Sequence, residues 1–293
     1  MSEMCTLCPR RCGVDRTVSH GFCQVPAQPV VARAALHFFE EPCISGERGS
    51  GAVFFSGCNL RCVFCQNHTI SRSESGKKVS PERLREIYFE LIAQGAHNIN
   101  LVTPSHFAGA VAQSLEGGLP VPVIWNCGGY ESVETLRMLE GKVQVYLPDF
   151  KYTNSLLAKK YSAAPDYPRV AEAALLEMYR QTGNWQADED GILQKGVLIR
   201  HLVLPGNLPN TFGVIDRVRA LFPEPGQVLF SLMSQYTPVC DTPQYPELCR
   251  TLTPQEYELA QQYLFDSGLE DGFVQDMESA DESYIPAFDG TGV

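Results

Sequence analysis

Six short apolar runs do most to set what this chain can fold into. They are AVFFS (52–56), NINLV (98–102), PVIWN (122–126), VQVYL (143–147), VLIRHLVL (197–204) and QVLFSLM (227–233). Each is rich in Val, Ile, Leu and Phe and is continuous rather than alternating, the pattern of a strand buried on both faces of a parallel sheet. Parallel neighbours need crossover connections, and helical patterns lie between the runs. SPERLREIYFELIAQG opens on Ser80 as N-cap with Pro81 in the first turn. It sets Leu84, Ile87, Tyr88, Leu91 and Ile92 on one stripe and stops at Gly95. ESVETLRMLEG is a shorter version, DRVRALF follows the fifth run, and TPQE (253–256) is a capping box opening TPQEYELAQQYLF. The expectation is an α/β fold. Six strands fall short of the eight that close a regular barrel, leaving an open, incomplete barrel or a doubly wound sheet. Both bind ligands at the carboxyl ends of their strands. There the chain gathers GCNLRC, TPSHF, CGGYE, PDFK, PGN and SQY, one after each run.

Three zones are expected along the 293 residues: a Cys-rich module over 1–50, the α/β body over 51–250, and a helix with an acidic tail over 251–293. Lys and Arg number 23 against 34 Asp and Glu, a net charge of −11, which argues against a nucleic-acid surface. No apolar stretch approaches the roughly 18–20 residues that span a bilayer, and MSEMCTLCPRRC lacks the apolar core of a secretory signal. The expectation is a soluble, cytoplasmic protein with no membrane or nucleic-acid partner. Eleven cysteines are many for such a chain, and seven fall in two tight groups, which suits metal better than disulfides.

The sharper group is Cys58, Cys62 and Cys65, spaced C-x3-C-x2-C directly after the first apolar run. Thiolates bind zinc and iron–sulfur clusters. A structural zinc site takes four protein ligands, so a zinc knuckle here needs His68 or a distant Cys to complete it. A [4Fe–4S] cube held by three thiolates instead keeps one iron open for a small molecule. Gly57, Asn59 and Asn67 suit a backbone wrapped tightly round a bulky cofactor.

The stretch GCNLRCVFCQN, with an aromatic before the last Cys, resembles the signature of the radical S-adenosylmethionine superfamily. With CTLCPRRCGVDR…GFC and EEPCISG, it resembles the pyruvate formate-lyase-activating-enzyme-like branch over roughly residues 5–280. The resemblance implies a partial (β/α)6 TIM-like barrel behind a small N-terminal Cys-rich module. It implies a [4Fe–4S] cluster on Cys58, Cys62 and Cys65 whose open iron binds S-adenosylmethionine. One-electron cleavage then gives a 5′-deoxyadenosyl radical that takes a hydrogen atom from the substrate. A flavodoxin or ferredoxin as electron donor and a glycyl-radical enzyme as protein substrate are the implied partners.

Residue by residue, Phe64, Gln66 and Asn67 match loop positions near the adenine. The superfamily's Gly-Gly-Glu stretch after the second strand is replaced by LVTPSHF, which offers Thr103 and Ser105 to the methionine and His106 as an acid/base group or a plain loop histidine. Asn126 follows the third strand beside Gly128 and Gly129. Asp149 and Lys151 match the Asp-x-Lys of the activating enzymes, near ribose and carboxylate. Arg200 and His201 share the fifth strand, and alternation turns only one of them inward. Gln235 and Tyr236 fall where the family keeps a ligand contact. Lys151, Arg200 and His106 are the candidate catalytic groups.

Cys5, Cys8, Cys12 and Cys23 form the second group, spaced C-x2-C-x3-C-x10-C. Four thiols in a segment with little hydrophobic content suggest zinc or an auxiliary [4Fe–4S] cluster, the latter as an electron relay; unoccupied thiols are the plain alternative. Cys43, Cys127, Cys240 and Cys249 are scattered, and Cys127 alone sits beside a candidate site. The main reading is a radical enzyme of activating-enzyme type. The alternatives are the same radical start on another peptide or small molecule, and a non-enzymatic iron–sulfur electron carrier.

Overall fold

A computed structural model describes residues 4–238, 244–277 and 286–293. The six expected strands form as β2 (Ser50–Phe55), β4 (Ile99–Val102), β5 (Val123–Cys127), β6 (Val145–Pro148), β8 (Leu193–Leu202) and β9 (Leu229–Met233). They lie side by side in chain order and every adjacent pair is parallel. That is a singly wound order, so the doubly wound alternative falls away. The sheet is an open α/β sheet; its ordered path ends at two separate edge strands rather than closing.

Four further strands carried no legible pattern. β1 (Val30–His37) pairs antiparallel with β2, and β3 (Lys77–Lys78) pairs antiparallel with β1. β7 (Gln186–Ala187) pairs with β8, and β10 (Gly272–Val274) joins β9 in parallel. These strands shift the expected boundaries. Residues 30–37 belong to the sheet rather than to a module ending near residue 50, and the region after 250 supplies an edge strand as well as a helix. Only residues 4–29 lie outside regular secondary structure at the front of the chain.

Alternation along the buried strands splits the core into two layers. Val53, Phe55, Leu101, Trp125, Tyr146, Val197, Ile199 and Phe230 face the helical layer. Ile124, Val145, Leu147, Leu198 and Leu229 face the other side, where Cys43 and Ile44 of α1 (Pro42–Ser45) plug the sheet. The helical layer forms where capping and apolar stripes ask for it. α3 (Pro81–Ala93) starts at Ser80, whose hydroxyl accepts from the Arg83 N–H. α9 (Pro254–Asp266) has the full capping box between Thr253 and Glu256. α8 (Leu208–Leu221) follows β8, while α6 (Ser155–Ser162) and α7 (Tyr167–Thr182) fill the β6–β8 connection. With the plug below, the carboxyl ends of the strands enclose a cavity above. No helix among the described residues is long and apolar enough to cross a membrane.

The acidic tail is described in part. Residues 278–285 lie outside the described residues, as does Cys240, but the last eight residues run along β1. Gly290 N–H donates to Ala32 O and Ala34 N–H to Thr291 O, and Phe288 packs edge-on against Phe54.

Candidate active site

The cavity at the strand ends, about 230 Å³, draws its wall from nearly every expected position. Cys58, Cys62, Cys65, Phe64, Gln66 and Asn67 come from the loop after β2. Thr103 comes from the end of β4, Asn126 from β5, Asp149 and Lys151 from the end of β6, Arg200 from β8 and Gln235 from beyond β9.

The loop is held by its own backbone and by neighbours. The Cys58 sulfur accepts from the Leu60 N–H at 3.4 Å, and the Cys62 sulfur accepts from the Ser162 hydroxyl at 3.0 Å. Donors aimed at sulfur favour thiolate over thiol and tune a thiolate-bound cluster. Burial pushes the Cys58 and Cys65 thiols up in the bare protein. Bringing a cation beside them is the natural compensation, and Lys151 stands in this wall. Burial works against its charge, but Asp149 at 2.6 Å and the neighbouring sulfurs more than offset that and hold the ammonium above its ordinary value.

The floor is an ion-pair network centred on Arg200. Its guanidinium donates to Asp149 Oδ1 at 3.0 Å, Glu40 Oε2 at 2.9 Å and Asn126 Oδ1 at 2.7 Å. Glu40 Oε1 in turn accepts from Asn100 and Asn126. Asp149, despite burial, is held below the usual carboxylate range by Lys151 and Arg200. Alternation sends His201 to the opposite face, where it bonds Phe150 O and the Thr211 hydroxyl, and burial pushes its pKa down to about 4. Thr103 adopts φ +60, a left-handed conformation that a β-branched residue rarely takes, beside the cavity.

Three expected residues lie elsewhere. Ser105 and His106 enter a 3₁₀ turn, Ser105–Phe107, that folds both back into the core. The Ser105 hydroxyl donates to Glu131 at 2.6 Å, and His106 Nε2 meets Ser56 O at 2.7 Å, with burial lowering its pKa to about 3. His106 is a neutral core histidine, not an acid/base group at the mouth. Tyr236 is buried, donates to Leu248 O at 2.6 Å and backs Phe64 rather than facing the cavity. Gln66 is tied down, its amide donating to Gln235 O at 2.9 Å.

Sequence reasoning missed His37, Phe39 and Glu40, which complete the wall from the end of β1. Glu40 stands in the EEPCISG stretch, but its partner is 160 residues away and no local pattern connects them.

The thiol set fits a three-coordinated cluster. His68, the proposed fourth zinc ligand, is exposed at the start of α2 (His68–Ser71) and is not part of the cavity wall. Cys127 does border the cavity, but its thiol bonds the buried Glu131 carboxylate. Among the described residues no three His, Cys, Asp or Glu side chains are arranged to hold a single metal ion.

Comparison with known proteins agrees. The family described as "4Fe-4S single cluster domain" matches residues 44–138, spanning the three-cysteine loop. An uncharacterized protein of Methanocaldococcus jannaschii, MJ0674, is 29% identical over 277 residues, covering 89% of this chain and 75% of that protein. Streptococcus suis SuiB bound to S-adenosylmethionine superposes with a TM-score of 0.51 at 12% identity over 75% of this chain. SuiB bound to its precursor peptide SuiA gives a TM-score of 0.53 at the same identity. The chain matches only about half of SuiB, 48% and 46% of its length in the two structures. A domain of a pyruvate-formate lyase-activating enzyme from Bacteroides vulgatus aligns with a TM-score of 0.37, too loosely to carry an argument.

Proposed function

We propose, from the radical S-adenosylmethionine fold that this chain carries round a three-cysteine iron–sulfur loop, that it is a radical S-adenosylmethionine enzyme. The observation that carries the reading is the meeting, in one cavity, of the three thiols of the loop and a charged Asp149–Lys151–Arg200–Glu40 network. Cys58, Cys62 and Cys65 would hold the cluster. When bound, cluster and S-adenosylmethionine supply one-electron cleavage of a sulfonium carbon–sulfur bond and, with it, hydrogen-atom abstraction.

The chain's own residues position and insulate. Lys151, oriented by Asp149, offers the wall an ammonium donor for a carboxylate, and Arg200 holds Asp149, Glu40 and Asn126 in place around it. Asn126, Thr103 and the Gln66–Gln235 pair offer polar contacts for ribose and base, and Phe64 offers an apolar edge. Leu60, Phe54 and Val102 keep that wall dry. A second lobe of about 320 Å³ adjoins through Phe39, Glu40, Arg200, Met233 and Gln235 and runs to Phe273 and Val274 on β10. We assign the substrate to this lobe, where the sheet stays open.

The finer reading is activation of a protein substrate of the glycyl-radical type. It is supported by the resemblance of the Asp149–Phe150–Lys151 stretch and by a lobe open between sheet edges, which a polypeptide segment can enter. Modification of another peptide is the second reading, favoured by the peptide bound to SuiB in a protein of like fold.

The test is anaerobic. Reconstituted protein, reduced with dithionite and given S-adenosylmethionine, should release 5′-deoxyadenosine. Cys62→Ala should abolish release and lower bound iron. A fully loaded protein that neither cleaves S-adenosylmethionine nor changes its cluster spectrum on adding it is a carrier, and the enzymatic reading fails.

A further inference from the structure

We propose that Cys5, Cys8, Cys12 and Cys23 hold a second iron–sulfur cluster, seated against the loop of the first and passing electrons to it. All four are free thiols. They are electrostatic neighbours: Cys8 feels Cys5 and Cys23, and Cys23 feels Cys5 and Cys12. A Cβ on Gly21 would meet both the Cys12 and the Cys23 sulfur. The surrounding residues 4–29 contain neither helix nor strand, yet Cys8 and Cys23 are buried. A segment with no regular structure and thiols turned inward is what a bound metal centre organises. Zinc has no redox chemistry, whereas a cluster seated against a second one can exchange electrons with it.

The contact with the first site carries the second half of the proposal. Gly57, one residue before Cys58, has φ +80, and a Cβ there would stand 2.6 Å from the Cys23 carbonyl oxygen. The backbones of the two cysteine groups therefore touch. Arg61, inside the three-cysteine loop, donates to Phe22 O at 2.6 Å and feels both Cys58 and Cys23. Arg10, between Cys8 and Cys12, donates to Asn59 O at 2.8 Å and stacks over the Phe22 ring at 3.8 Å. Arg16 is buried and donates to Val25 O and to His106 O, fixing the segment to the turn after β4. Cys5 and Cys12 are partly exposed while Cys8 and Cys23 are buried, so the thiols lead from solvent inward.

The role, though not the occupancy, rests on the radical reading of the main loop. The transfer is one electron with no bond made or broken. A low-potential one-electron carrier protein of the flavodoxin or ferredoxin class is oxidised. The N-terminal cluster is reduced and then reoxidised as it passes the electron to the cluster on Cys58, Cys62 and Cys65.

The experiment uses the full chain, reconstituted anaerobically with iron and sulfide. Cys58→Ala/Cys62→Ala/Cys65→Ala should retain one cluster's worth of iron and acid-labile sulfide. Its dithionite-reduced paramagnetic resonance signal should be unaltered by S-adenosylmethionine. Zinc without iron in that variant, or no metal at all in a variant with wild-type circular dichroism, overturns the site. Should the triple variant not fold, the iron count of the wild-type chain decides: two clusters' worth supports the site and one overturns it.

Cys12→Ala then tests the relay. The ratio of flavodoxin-driven to dithionite-driven 5′-deoxyadenosine formation in a single turnover should fall about tenfold or more. An unchanged ratio overturns the relay while leaving the site. A wild-type chain that carries both clusters yet cleaves nothing sinks the enzymatic reading instead.

Discussion

Arg200 is the residue on which the cavity floor depends. Its side chain is 13% exposed and meets Glu40, itself 11% exposed, as well as Asp149. Removing one partner of a buried pair leaves the other charge uncompensated, at roughly 3–5 kcal/mol. Arg200→Met leaves two carboxylates with Lys151 as the remaining cation, and a loss of about that size is expected in anaerobic denaturant unfolding. Arg200→Met/Glu40→Gln should recover part of it; a double variant no more stable than the single would contradict the network. Arg200 was legible in the sequence because strand alternation had to choose between it and His201. Glu40 was not, because its meaning comes from a partner across the sheet. His106 misled for the reverse reason. Its position after a strand end is right for a site, but a 3₁₀ turn rotates the ring onto Ser56 O.

At the scale of elements, the parallel strands were readable because a strand covered on both faces cannot carry a polar residue at every second position. β3, β7 and β10 are two or three residues long and lie at sheet edges or beside one, too short to show a pattern, and the apolar run of β1 is broken by Arg33. The cysteine loop was legible by spacing, but its docking against the N-terminal segment was not, since that depends on Gly57 lacking a side chain. Gly57→Ala tests the docking. Its φ of +80 and the 2.6 Å approach of a Cβ to Cys23 O mean that backbone strain and a clash act together. A stability loss of about 1–3 kcal/mol is expected. Limited proteolysis should cut faster between residues 4 and 29 than elsewhere. Wild-type stability with unchanged cleavage would mean that the two segments are not held together there.

Stability against pH belongs to the whole molecule, and the acidic balance of −11 makes it tempting to assign any alkaline weakness to general repulsion. One buried group makes a sharper claim. Glu131 is 2% exposed, and burial pushes its pKa from 4.5 to about 7, although Ser105, Trp125 and Cys127 all hydrogen-bond it. The unfolded chain releases this proton near 4.5, whereas the folded one keeps it until about 7. Folding is therefore favoured by the group at low pH, and that advantage is lost progressively as pH rises through the window between the two values. Above the window the loss levels off at roughly 3 kcal/mol. Glu131→Gln keeps an acceptor for the Ser105 hydroxyl and cannot ionise. The two proteins should be nearly equal in stability at about pH 4, with the variant ahead by roughly 3 kcal/mol at about pH 8, measured by anaerobic denaturant unfolding. Parallel curves across that range would show that Glu131 is ionised in the folded protein with its charge fully compensated, and would return the alkaline loss to the net charge of the chain.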